Sequence, residues 1–326
     1  LYEVSQGNGQ ELIALGRASS AAKASEHSEA FFYGTMKKYS HLLEFSAVVL
    51  LERLFSVPPR AVALQLGKVL GLALYYSGYR RSVVRANMQL AALGSPAHIE
   101  RISKELYSNL GRYLTDFLRP NGTSLPHNPP DIELLQRLLT RKKGVIAIMG
   151  HFGGWEIFPR IFDTTRLPLA VVAKNMHNPY VDRWLEKKRL RTGLTIIYKD
   201  KAMRKIISTL KQNGMVAMLI DQYIRGQGTP APFMGQMVET IRTAAGVLHK
   251  MDCSAVYAYS LLQADNSYLT IIKEAPAPDI DSSDEEHVLA AYLAAHNAEL
   301  ERWIRRYPSH WFGWLHRRFK GVIDYH

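Results

Sequence analysis

Apolar positions fall into two patterns along the 326 residues. From Ala61 to about Leu118 they recur at helical spacing, after a Pro58-Pro59 turn and before the breaker Pro120-Asn121-Gly122. Beyond a connection from Ser124 to Pro130, short apolar runs alternate with helix-spaced ones. Gly144 to Met149 predicts a buried strand, being a brief apolar run between turn signals. Further strands are expected at Leu169 to Ala173, Thr195 to Tyr198, Met215 to Ile220, Ser254 to Ser260 and Tyr268 to Lys273. Helices are expected at Asp131 to Thr140, Trp155 to Phe162, Tyr180 to Thr192, Ala202 to Gln212, Thr240 to Met251 and Glu285 to Arg306. Alternating strands and helices predict an α/β fold with a central, mostly parallel or mixed sheet flanked by helices.

Three parts follow. Residues 1–35, rich in Ser, Ala, Gly, Gln and Glu without a sustained apolar period, are expected to be a poorly ordered extension. Residues 36–122 form a helical N-terminal part and residues 123–326 the α/β core. The first methionine, Met36, is a candidate for the natural start. The longest apolar stretches, Leu42 to Phe55 and Ala61 to Tyr79, are interrupted by Glu44, Glu52, Arg53 and Lys68, so neither reads as a membrane span. With Tyr75, Tyr76, Tyr79, Arg80, Arg81 and Arg85 beside them, they suit either a membrane interface or amphipathic packing on the core.

Charge narrows the partners. A formal net charge of +12 and a pI near 9.6 predict attraction to an anionic surface, whether nucleic acid, phospholipid or an acidic protein. The one cysteine, Cys253, excludes an intramolecular disulfide and a thiolate-rich zinc site, which fits a reducing compartment.

The strand ending at Met149 runs into Gly150-His151-Phe152-Gly153-Gly154-Trp155-Glu156. Ligands in open α/β sheets bind at the carboxyl ends of strands, which places His151 where a reacting group belongs. On one continuous helix Glu156 would lie about 140° round the axis from His151, at about 100° per residue. The two therefore meet only if His151 sits in the loop and Glu156 in the first helical turn, a geometry the glycines permit. A carboxylate on one imidazole nitrogen leaves the other free as general base, and amides at a helix start would steady an oxyanion.

The run Gly150 to Glu156 resembles the His-x4-Asp/Glu block of the lysophospholipid acyltransferase superfamily, and within it the lipid A late acyltransferases (lauroyl and myristoyl transferases). Three other blocks carry the resemblance in order. They are Ala173-Lys174-Asn175 with Asn178, then Asp221-Gln222 with Pro232-Phe233-Met234-Gly235, and finally His310 through Lys320. The resemblance covers roughly Ser40 to Lys320 and implies a His151–Glu156 catalytic dyad on an O-acyltransferase. It implies an acyl thioester as donor, on acyl carrier protein or coenzyme A, a membrane lipid hydroxyl as acceptor, and neither metal nor bound cofactor. The expected partners are acyl carrier protein, the lipid acceptor and an anionic membrane surface, not nucleic acid. The expected location is the cytoplasmic face of a bacterial inner membrane, as a peripheral or monotopic protein. Two departures bear on acceptor choice and subfamily. Thr240-Ile241-Arg242-Thr243 replaces a small-residue turn, and Gly154 stands where Asn often precedes Trp155.

Lys174 and Arg189 are candidates for binding phosphate or phosphopantetheine, Asn175 for binding substrate, Asp221 and Gln222 for orienting the acceptor or bracing the site, and Arg242 for acceptor choice. The tail residues Trp311, Trp314, His316, Arg317, Arg318 and Lys320 either touch headgroups or dock on the core. No His-Glu-x-x-His, Gly-x-Ser-x-Gly or dinucleotide glycine fingerprint is present. The remaining rivals are acyl transfer to another lipid and a basic binding module for membranes or nucleic acid.

Overall fold

The computed structural model of the protein describes residues 36–120, 125–128, 131–160, 168–198, 202–223, 226, 228–280 and 282–325. The expected extension over 1–35 and the breaker residues Asn121 and Gly122 lie outside them. Helix α1 spans 36–56 and is followed by α2 (Arg60–Tyr76), α3 (Arg81–Leu90) and α4 (Pro96–Leu118), which divide the long helical pattern. Ser95 caps α4 through the His98 amide, with Pro96 in its first turn.

The described residues fall into two compact units, 36–50 with 176–183, and 51–175 with 184–325. In the smaller one the buried Asn178 donates to the His41 carbonyl (2.7 Å) and the Glu44 carboxylate (2.8 Å), and its Oδ1 accepts from the Tyr180 amide (3.0 Å).

The larger unit holds the sheet. Its strands are β1 (Val145–Met149), β2 (Leu169–Ala173), β3 (Thr195–Tyr198), β4 (Met215–Leu219), β7 (Ser254–Leu262) and β8 (Tyr268–Glu274), while β5 (Gly228–Phe233) and β6 (Gln236–Ile241) form a separate antiparallel pair. The six strands run in the order β3-β2-β4-β1-β7-β8, and only the β7–β8 pair is antiparallel. The expected α/β sheet is therefore observed. Every residue of β1 and β7 is buried, as short apolar runs covered on both faces must be. Helix α5 (Ile132–Thr140) precedes β1, α6 (Pro179–Leu190), α7 (Ala202–Lys211) and α8 (Thr243–Lys250) lie between strands, and α9 (Glu285–Arg306) follows the last.

Two expected helices change. Residues 155–157 form a turn and 158–160 a single 3-10 turn, while 161 and 162 fall outside the described residues. The Gly154 carbonyl accepts from both Ile157 and Phe158 amides (2.9 and 2.8 Å), and Pro159 supplies no donor to extend a ladder. The helix expected from Thr240 begins at Thr243, because Thr240 and Ile241 complete β6.

Helices α2 and α4 cross closely through small residues. A Cβ at Gly67, Gly71 or Gly111 would strike the facing backbone. Beside this crossing the fully buried Asp116 takes a bidentate pair from Arg60 (2.8 and 2.7 Å) and the Tyr268 hydroxyl (2.9 Å), so its charge is compensated. Among the described residues no helix is long and apolar enough to cross a membrane.

Candidate active site

Strands β1 and β4 are parallel neighbours whose last residues, Met149 and Leu219, are paired in register. Two residues beyond each strand end stand His151 and Asp221. Asp221 Oδ1 accepts from His151 Nδ1 at 2.7 Å, and its Oδ2 accepts from the His151 amide at 2.8 Å and the Trp311 indole at 2.7 Å. The carboxylate is buried, while the His151 side chain keeps 16% of its surface exposed.

The loop after β1 is pinned from two sides. The His151 carbonyl accepts from the Phe312 amide (2.8 Å), and the Gly153 amide donates to the His310 carbonyl (2.8 Å). On the other flank the Gly154 amide donates to the Ser260 carbonyl (2.6 Å) at the end of β7. Gly153 has φ of 62°, and a Cβ there would strike the Ser260 carbonyl, so glycine is required twice over.

Electrostatics follow from this packing. Burial opposes the charged form of His151, but the Asp221 charge, the hydrogen bond to it and the charge of Glu156 outweigh burial, so its pKa lies above the usual imidazole value. Burial would raise Asp221, yet the charge of His151 and the hydrogen bonds from His151 and Trp311 bring it down to about 2. With Nδ1–H bound to Asp221, the lone pair of neutral His151 resides on Nε2. There the Gln222 amide nitrogen stands 3.1 Å away, and Trp155 and His316 complete the surround with ring centroids 5.2 and 5.9 Å from His151.

Glu156 pairs elsewhere. Its carboxylate takes a bidentate pair from Arg189, with Nε at 3.1 Å, so the hydrogen-bonded carboxylate of the imidazole is Asp221 rather than Glu156. The turn at 155–157 is the reason, since Glu156 does not sit in a helix folded back over His151. Glu156, Arg189 and Trp155 instead line an apolar cleft with Phe158, Val172 and Leu219.

Lys174 and Asn175 follow β2 at the same end of the sheet and are exposed. Arg242 precedes α8 and pairs with Glu286 at 3.3 Å. Leu300 packs beside Gly150, whereas the Arg242 partner Glu286 lies in the first turn of the same helix, about 20 Å along its axis from Leu300. In the tail Trp311, Trp314 and Arg318 are buried, so of the basic residues there Arg317 and Lys320 stay exposed. The sequence reading did not foresee Trp311 as a ligand of Asp221, or His316 beside His151. Their only signal was membership of the aromatic and basic block from His310.

Residues 33–321 match the family described as bacterial lipid A biosynthesis acyltransferase. The chain belongs to that family. No curated protein matches it. The resemblance drawn from the four sequence blocks therefore holds, and the protein is an acyltransferase of lipid A biosynthesis. In a lipid A acyltransferase the acceptor is a lipid.

Proposed function

We propose that this enzyme moves a fatty acyl group from a thioester on acyl carrier protein to a hydroxyl of a lipid A precursor, with His151 as general base. The observation that carries the reading is the orientation of His151. Asp221 holds Nδ1–H, so the lone pair lies on Nε2 and is available once the Gln222 amide yields to an acceptor hydroxyl. His151 Nε2 takes the hydroxyl proton as the oxygen attacks the thioester carbonyl. Collapse of the tetrahedral intermediate breaks the C–S bond, and the thiolate takes the proton from the imidazolium. A positioned base contributes about 10²- to 10⁴-fold, and fixing both reactants beside it contributes more.

Glu156 serves as the outer carboxylate. Its charge adds to that of Asp221 in favouring the imidazolium, and with Arg189 it lines the apolar cleft, which suits an acyl chain. Lys174 and Asn175, exposed at the same sheet end, suit the phosphate of a phosphopantetheine arm or of the acceptor.

A lipid acceptor calls for an apolar approach. Val62, Leu66, Val69, Leu70 and Tyr76 form an exposed stripe along α2, continued by Leu54, Val57 and Tyr79, with Arg80 beside it. Such a face supports docking on the cytoplasmic leaflet of the inner membrane, where acyl carrier protein is present. The net charge of +12 favours both an anionic leaflet and that acidic carrier.

The test is transfer of labelled acyl groups from acyl carrier protein into a bacterial lipid extract, with mass spectrometry of the product. An acylated lipid A precursor supports the proposal. A labelled lysophospholipid or other glycolipid would replace the acceptor, and carrier binding insensitive to salt would count against charge-driven docking.

A further inference from the structure

His316 stands beside the reaction centre on unusually well-held backbone. The buried Asn87 donates to the carbonyls of Trp314 and His316, both at 2.9 Å, and accepts the Tyr325 hydroxyl at 2.5 Å. Arg80 donates to the carbonyl between them, that of Leu315, at 2.7 Å. Three successive carbonyls are thus fixed, while the His316 ring remains exposed 5.9 Å from the ring of His151 and without a hydrogen-bond partner among the described residues.

Attack on a thioester carbonyl turns its oxygen into an oxyanion, which needs a preorganised donor. The expected helix start is absent, and the amides of Gly153 and Gly154 already donate to the carbonyls of His310 and Ser260. The amide and Nδ1 of His151 are bound to Asp221. We infer that a ring N–H of His316 donates to the thioester carbonyl oxygen as the tetrahedral intermediate forms. The partial desolvation of the accessible ring, first, and then the neighbouring charge of His151 keep His316 below the usual imidazole pKa, with Arg80 acting in the same sense and Asp221 opposing, which suits a neutral donor. The acceptor proton passes to His151 Nε2, the new C–O bond sends the carbonyl pair onto oxygen, and re-forming the carbonyl expels the thiolate. That thiolate is protonated by His151, and His316 keeps its own proton throughout.

This inference rests on His151 acting as base. Single-turnover transfer from labelled acyl carrier protein to a lipid A precursor is compared in the wild type, His316→Ala, His316→Asn, His316→Gln and His151→Ala. His316→Ala is expected to slow the chemical step about 10²- to 10³-fold, with KM for both substrates and the melting temperature little changed. The Asn and Gln variants, which keep a neutral N–H, recover about tenfold of that loss. His316→Ala reacting like the wild type while His151→Ala is inactive overturns the inference alone; an active His151→Ala removes its basis. A readout without turnover is the ring nitrogen resonances of His316 on adding a ketone analogue of acyl-pantetheine, with CH2 in place of sulfur. They shift on binding under the inference, and unchanged resonances with analogue bound overturn it.

Discussion

Asp221 holds His151 at two points, through Nδ1 at 2.7 Å and through the backbone amide at 2.8 Å, so one carboxylate fixes both the ring and the loop that carries it. Trp311 fixes the carboxylate in turn at 2.7 Å. Replacing Asp221 by Asn keeps the shape but removes the charge, and is expected to lower kcat about 10²- to 10³-fold.

The same substitution moves the pH profile in a defined direction. A base must be neutral to act, so with His151 as the proposed base its raised pKa is expected to place the acid limb of kcat/KM above the ordinary imidazole value of about 6.5. Without the Asp221 charge burial dominates, and in Asp221→Asn the limb moves to lower pH. Rates between pH 5 and 9 measure this, and a limb that stays in place would show that another group titrates.

Glu156 and Arg189 form one ion pair, with side-chain exposures of 25% and 18%. Glu156→Ala and Arg189→Ala are each expected to lower activity, and the double variant to be no worse than the poorer single one. A double-mutant cycle in chemical denaturation should give a coupling of about 1 kcal/mol, and additive losses would contradict the pairing.

Gly153→Ala is expected to destabilise the fold by about 3 kcal/mol and abolish activity, since it combines a left-handed φ with a clash at the Ser260 carbonyl. Gly193→Ala serves as the comparison, having φ of 82° but open space around the new methyl, and should cost only about 1 kcal/mol. Thermal denaturation of the two variants separates clash from conformation.

Leu66→Asp combined with Val69→Asp, on the exposed face of α2, should weaken binding to vesicles of anionic phospholipid about tenfold or more while leaving the melting temperature unchanged. Cosedimentation with vesicles measures it, and undiminished binding would move the membrane contact to another surface.

Much of this was legible from the residues alone. Apolar runs gave every strand of the sheet to within two residues, because each is a short run bounded by turn signals. The placement of His151 followed from the strand before it, and the four blocks identified the family. The partner of the imidazole was not legible. Whether Glu156 or Asp221 reaches His151 depends on β4 lying beside β1 in register, and strand order is set by packing between segments 70 residues apart in sequence. The β5–β6 pair was missed because Pro230 and Pro232 interrupt the strand signal, which an edge pairing outside the main sheet tolerates.

The most direct test is single-turnover acyl transfer from acyl carrier protein to a lipid A precursor by the wild type and by His151→Ala, at protein concentrations where both are folded and vesicle-bound. Loss of about 10³-fold or more in the rate of the chemical step, with acyl carrier protein still bound, is the predicted result. Transfer by His151→Ala within a few-fold of the wild type would contradict the account and require a different base.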